Sequence, residues 1–245
     1  MGFAVGMTGM GGGALLTPVM VLLFGVDPLA AVSSDLVVSL VMKPVGAGVH
    51  IRHGTVRGDI ARWLCLGSVP AAFLGVLLLK AMGGDDAGTV LKRVLGGALL
   101  LAATAIVLRA RRQRRAPSTA GTAVAPLRRP ATAAVGVIGG LMVGLTSVGS
   151  GSLVIVMLLY VYPNLSPSAL VGTDLVQAIP LVASAALGHA LFGDVRIDLA
   201  LPLLLGALPG VYLGARVSSR AHERLVRTAL VVLLTGSGLK LVGAF

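Results

Sequence analysis

The chain carries one pattern twice. Gly6-Met7-Thr8-Gly9-Met10-Gly11-Gly12-Gly13 returns as Gly144-Leu145-Thr146-Ser147-Val148-Gly149-Ser150-Gly151. After one extra residue in the following turn, the echo continues in a fixed register. Pro28 matches Pro167, Asp35-Leu36-Val37 matches Asp174-Leu175-Val176, and His50 matches His189. Gly54-x-Val56-Arg57-x-Asp59 matches Gly193-x-Val195-Arg196-x-Asp198, then Pro70 matches Pro209 and Gly75 matches Gly214. Pro, Asp, His and Gly held in register from Gly6 to Gly75 mean that the second half folds into a version of the first. In a strongly apolar chain, this doubling is the signature of a secondary transporter whose site lies where the halves meet.

Of the 245 residues, 56% are hydrophobic and 12% charged, against about 25% charged in a soluble domain. That much apolar sequence needs the bilayer as solvent. The net charge is +11, but its basic residues sit between apolar runs with few aromatics. This fits a positive-inside bias and not nucleic-acid binding. A single cysteine, Cys65, excludes an internal disulfide and a cysteine-based metal site. The first 24 residues lack a basic leading region and are read as mature sequence, not a cleaved signal. Met1 aligns with Gly139 although the second half begins near Ala131, so either the first hairpin is short or the true start lies upstream.

Apolar segments fall near 1–24, 28–51, 60–82, 88–108, 131–162, 166–191, 198–217 and 223–244. Segment 109–130 is basic at both ends and rich in Pro, Ser, Thr and Ala between, the composition of a cytoplasmic linker. If all eight segments crossed, loop 216–227, with Arg216, Arg220, Arg224 and Arg227, would lie opposite that linker and break the charge rule. If 1–24 and 131–162 each enter and leave on one side, loops 52–62 and 216–227 join the linker inside, and 83–93 and 192–198 lie outside. The expectation is an all-α integral membrane protein of two inverted repeats. Each is a Gly-broken helical hairpin, or long broken helix, plus three transmembrane helices. The first repeat is 1–108, the linker 109–130 and the second repeat 131–245.

The glycine runs interrupt apolar helices, and glycine lets backbone turn and approach a ligand closely. Non-helical backbone at membrane depth survives only in protein or beside a cavity. A half-helix starting after such a break aims free N–H groups at it, which suits an anion. Close packing through small residues is the structural alternative. No Gly-Lys-Ser/Thr follows, so these are not nucleotide loops. The candidate substrate contacts are Thr8, Gly11, Gly12, Gly13, Ser34, Thr146, Ser147, Gly149, Ser150, Gly151, Thr173 and Gln177.

Asp35 and Asp174 each follow a hydroxyl residue near the start of an apolar helix. Acids in the membrane are costly and usually functional or paired; helix capping is the plainer role. Lys43 lies two turns beyond Asp35 on about the same face and has no twin, its counterpart being Val182. It neutralises Asp35, attracts substrate, or snorkels to the interface. If it neutralises Asp35, Asp174 is the acid more sensitive to proton coupling. His50 and His189 end paired helices; capping competes with proton sensing there. His50-x-x-His53 lacks neighbouring carboxylates and is not read as a metal site. No spacing suggests an enzyme's catalytic set, and no cofactor is expected.

Several blocks together resemble the TauE/SafE family of sulfite-exporter-like membrane permeases. They are Gly9 to Pro18, Pro28 to Ser34, Ala169 to Thr173, the Gly-x-Val-x-x-Asp turns, and Pro209 to Ala215. The resemblance covers nearly the whole chain. It implies a multi-pass protein of the bacterial inner membrane with two related halves, exporting sulfite, sulfoacetate or a related sulfur oxyanion. Ser147 and Ser150 stand where the family more often has glycine, and Asp35 and Asp174 where a hydroxyl is common. The resulting expectation is export by alternating access, with coupling to protons. The partners are a small anion and the bilayer, without nucleic acid, and a homo-oligomer stays open. The alternatives are a permease for another small solute, in either direction, or a membrane accessory subunit without transport.

Overall fold

The computed structural model describes residues 13–81, 87–115, 126–192, 195–217 and 223–243. Thr8, Gly11 and Gly12, with the rest of the first glycine run, lie outside the described residues. The described elements are all helical: α1 (Gly13–Leu23), α2 (Pro28–Arg52), α3 (Gly58–Ala81), α4 (Ala87–Arg115), α5 (Arg129–Thr146), α6 (Leu153–Val161), α7 (Pro167–Leu191), α8 (Ile197–Val217) and α9 (Glu223–Val242). Five of them, α2 to α5 and α7, are long and apolar enough to cross a membrane, and α8 and α9 carry apolar stretches at 197–210 and 228–242. Large apolar side chains such as Leu66, Leu74, Leu78, Leu201 and Leu205 are exposed in mid-helix. Such a surface needs lipid around it.

The doubled sequence makes doubled elements. α2 and α7 are each 25 residues long. Each begins with proline at its first position, where the missing N–H removes no hydrogen bond. Asp27 caps α2 by accepting from the N–H groups of Leu29 (2.9 Å) and Ala30 (3.2 Å), and Ser166 caps α7 by accepting from Ala169 at 3.2 Å. The two Gly-x-Val turns close on matching ion pairs: Arg57 donates to Asp59 at 3.0 and 2.6 Å, and Arg196 to Asp198 at 2.9 and 2.6 Å.

The segment read as 131–162 is two helices, α5 and α6, separated at Ser147–Ser152. α6 runs back along α5. A Cβ on Gly139 would meet Val154 at 2.5 Å, and Tyr162 just past α6 bonds the Thr132 hydroxyl at 2.6 Å and accepts from the Arg128 N–H at 3.0 Å. The pair therefore enters and leaves at one end of the bundle, as a broken hairpin. One boundary differs from the sequence expectation: α4 continues to Arg115, into the segment read as linker. The run Arg109 to Arg115 is made of Arg, Ala and Gln, all good helix formers, and the helix-breaking composition starts only at Pro117.

Small residues set the closest packing. Gly136, Gly140 and Gly144 form a stripe on α5 against α3. A Cβ on them would meet the carbonyl oxygens of Leu64 (2.4 Å), Ser68 (2.4 Å) and Ala72 (2.2 Å). Gly67 and Gly75 return the contact from α3, with Ala133 and Leu141 carbonyls 2.2 and 2.9 Å from their would-be Cβ atoms. This small-x-x-x-small face brings two backbones together as membrane helices do. α7 packs antiparallel to α2, with Gly46 beside Leu175 and Gly172 beside His50. α9 likewise runs antiparallel to α4 through Gly96 and Gly238. One apolar cluster joins α1, α2, α4 and α9, a second α3, α5 and α6, and a third α2, α3 and α7.

Candidate functional site

The break between α5 and α6 is where polar side chains gather. α5 ends because Ser147 turns left-handed (φ 60°), its N–H bonded to the Val143 carbonyl at 2.8 Å. Gly149 (φ 137°) and Gly151 (φ 89°) then carry the chain through conformations that side chains resist. Ser147 has no such freedom, and it is the single non-glycine residue with positive φ among the described residues. Strain of this kind gathers at functional sites.

α2 lies along the break and meets it at two levels. Near its start, fully buried Asp35 accepts a hydrogen bond from the Ser147 hydroxyl through Oδ2. Two turns on, Lys43 donates to the Ser150 hydroxyl at 2.5 Å. The start of α1 closes the same spot: a Cβ on Gly13 would lie 2.1 Å from the Ser147 carbonyl and 3.0 Å from Asp35 Oδ2. Gly13, the end of one glycine run, therefore touches the other.

α7 supplies the second acid. Asp174 accepts from Gln177 Nε2 at 3.0 Å, and Gln177 Oε1 accepts from the Ser68 hydroxyl of α3 at 3.1 Å. The Gly151 N–H also acts on the Asp174 carboxylate. Lys43 interacts with both acids. All these side chains are buried, so the cluster sets one ammonium against two carboxylates away from water. Thr17 of α1, Asp35 Oδ1 and the Ser152 hydroxyl are buried there without a hydrogen bond of normal geometry, although Thr17 faces the Asp35 carboxylate.

Of the residues expected from sequence, Gly13, Asp35, Lys43, Ser147, Ser150, Gly151, Asp174 and Gln177 come together. Thr146 spends its hydroxyl locally, donating to the Met142 carbonyl at 2.6 Å and accepting from the Val148 N–H at 3.1 Å. The α6 end offers fewer N–H groups than a bare half-helix, because the Gly149 carbonyl already takes those of Leu153 (3.0 Å) and Val154 (3.2 Å). Ser34 and Thr173 turn away from the break to join the two halves: Arg57 N–H donates to Thr173 Oγ1 at 3.0 Å, and Ser34 Oγ donates to the Arg196 carbonyl at 3.4 Å. The described hydrogen bonds of the two histidines lie apart from the cluster. His50 Nδ1 pairs with Thr55 Oγ1 at 2.9 Å, and buried His189 lies 3.2 Å from the Gly144 carbonyl through Nε2. Sequence reasoning missed Thr17 and Ser68, which have no polar twin; their signal was a lone hydroxyl inside an apolar helix.

A bundle of apolar helices with lipid-facing leucines, a broken hairpin and a buried ionic cluster defines a multi-pass membrane transporter. The model of the sulfite exporter TauE/SafE family matches residues 1–241, and the chain belongs to that family. It is 38% identical over 244 residues to "Probable membrane transporter protein YjnA" of Bacillus subtilis (strain 168), covering 98% of this chain and 95% of the relative. It is 25% identical over 244 residues to "Probable membrane transporter protein YdhB" of the same organism, covering 99% and 96%. No solved structure matches it.

Proposed function

We propose that this protein exports a small sulfur oxyanion, such as sulfite or sulfoacetate, across the bacterial inner membrane by alternating access coupled to protons. The observation that carries the reading is Lys43. It is the one Lys or Arg that is buried among the described residues, and it donates into the break of a hairpin in a transporter family. An anion entering there meets the ammonium, the Ser147 and Ser150 hydroxyls and the break's backbone. The family's description supplies the sulfite and the outward direction.

Alternating access needs two halves that can rock about a shared site. We read 1–108 and 131–245 as inverted repeats joined by 109–130. Three features support this: equal lengths of α2 and α7, their antiparallel packing, and the exchanged contacts Arg57–Thr173 and Ser34–Arg196. The charges support proton coupling. A bare anion added to two carboxylates and one ammonium raises the local negative charge in a medium that opposes it; a proton taken up with it offsets that charge.

The test is efflux of radiolabelled sulfite and sulfoacetate from liposomes holding the purified protein, with protein-free liposomes as control. Efflux above control for either compound, lost in Lys43→Met, supports the reading. Equal leak with and without protein for both compounds refutes the substrate class.

A further inference from the structure

We infer that Asp35, and not its twin Asp174, carries the coupling proton, held at Oδ1. The inference deepens the proton-coupled reading above and reverses the sequence expectation, which paired Lys43 with Asp35.

The two acids match in sequence but not in surroundings. Asp174 has its charge supported: Gln177 donates to it at 3.0 Å, the Gly151 N–H acts on it, and neither of its oxygens is buried without a partner. Arg109 of α4 adds a favourable interaction at longer range. A hydrogen-bonded carboxylate beside an ammonium is the better placed of the two to hold a negative charge. Asp35 has less. From the break it receives one hydrogen bond, from Ser147 to Oδ2, and Oδ1 has none. α1 presents Gly13 and Thr17, neither charged; α2 presents Lys43; α7 presents Asp174, already engaged with Lys43. α8 presents the Arg196 carbonyl to neighbouring Ser34, while the Arg196 and Asp198 side chains pair with each other at the surface.

A bare carboxylate oxygen in a fully buried place is costly unless paired. A proton on Oδ1 removes the charge and gives that oxygen a hydrogen to donate. Thr17 Oγ1, buried and without a hydrogen bond of normal geometry, faces the same carboxylate. The proton has a route to the conformation as well. Asp35 touches Ser147 in the hairpin and the start of α1, and it follows Ser34, whose hydroxyl joins the halves at the far end.

The experiment uses the full chain in liposomes. Infrared difference spectra on a pH step read the carboxylic-acid C=O band of any buried acid that titrates. The wild type should show the band, Asp35→Asn should lose it and Asp174→Asn should keep it. A band that survives Asp35→Asn, or a wild type with none, overturns the inference. If Asp35→Asn does not insert, Thr17→Val replaces it and should shift the midpoint of the band; an unmoved midpoint overturns the inference. Transport of radiolabelled sulfite is measured beside it. Asp35→Asn should lose movement driven by a pH gradient yet keep exchange of sulfite for sulfite. Drive by a sodium gradient in place of a pH gradient overturns the inference. A wild type inert to sulfite, whose band titrates and vanishes in Asp35→Asn, leaves Asp35 in its role and removes only the substrate reading.

Discussion

The backbone N–H of Arg57 donates to the Thr173 hydroxyl at 3.0 Å, and the residues at the twin positions meet as well, Ser34 donating to the Arg196 carbonyl at 3.4 Å. Each half thus lays the turn after its long helix on the start of the other half's long helix. The first joint is shorter and should hold more firmly. Thr173→Val leaves the Arg57 N–H without its acceptor and should cost about 1–2 kcal/mol, seen as a lower unfolding temperature in detergent. Thr173→Ser should behave as wild type, and Ser34→Ala should cost less. Equal losses in Thr173→Val and Ser34→Ala would remove the asymmetry between the joints.

The glycine stripe between α5 and α3 makes a sharper claim about packing. Gly140→Ala puts a Cβ 2.4 Å from the Ser68 carbonyl, and since that neighbour is backbone, the helices must part. Destabilisation of about 1–3 kcal/mol is expected. Gly97 of α4 has nothing within 4 Å of its would-be Cβ. Gly97→Ala should be neutral or raise stability by up to about 1 kcal/mol, through the better helix propensity of alanine. Thermal unfolding of the two variants side by side checks this, and a Gly140→Ala protein as stable as Gly97→Ala would contradict the packing.

Much of this architecture was legible in the sequence because hydropathy and charge act over whole helices. The two 25-residue helices begin where proline stands at Pro28 and Pro167, and the second glycine run breaks its helix at Ser147. The site was legible in part. Gln177 stands three residues after Asp174, on the same helix face, where the twin position holds Val38; the serine against Asp35 lies far along the chain, and only the fold brings it there. The partners of Lys43 were likewise hidden, because the path of the chain beyond Ser147 decides which acid it faces. Thr173 and Ser34, next to the acids, were read as substrate contacts, whereas their hydroxyls join the halves. No one-dimensional spacing separates those two uses of a hydroxyl.

Ser147 combines a left-handed φ of 60° with the hydrogen bond to Asp35. Ser147→Ala keeps the backbone strain and loses the bond, whereas Ser147→Gly loses the bond but relieves about 1–2 kcal/mol of strain. The glycine variant should therefore unfold at the higher temperature of the two. Both variants should alter the pH dependence of transport if Asp35 titrates. A Ser147→Ala protein more stable than Ser147→Gly would contradict the left-handed turn.

Sidedness follows from the arginines. The Arg57 turn, the start of α5 and the start of α7 share one end of the bundle, and the Arg196 turn and the start of α2 share the other. By the charge rule, positive charge in 52–62 and 109–130 predicts that the first end faces the cytoplasm. In a Cys65→Ala background, Arg52→Cys should react only with reagents that reach the cytoplasm, and exposed Ile197→Cys only with those added outside. The reverse pattern would invert the topology.

Lys43 gives the last test, because it stands between unequal acids. Lys43→Met leaves two buried carboxylates without their ammonium. It should cost about 2 kcal/mol, less than the range for a direct buried ion pair, and abolish transport. Asp174→Asn leaves the ammonium with Asp35 alone and should also destabilise. Combined, Lys43→Met with Asp174→Asn removes both members of the counter-ion pair inferred above, so the double variant should be more stable than the sum of the two losses predicts. Lys43→Met with Asp35→Asn should come closer to additivity. Unfolding of the wild type, the three single variants Lys43→Met, Asp174→Asn and Asp35→Asn, and the two double variants in the same detergent decides the matter. Stronger coupling of Lys43 to Asp35 than to Asp174 would hand the counter-ion role to Asp35 and leave Asp174 as the acid free to take a proton.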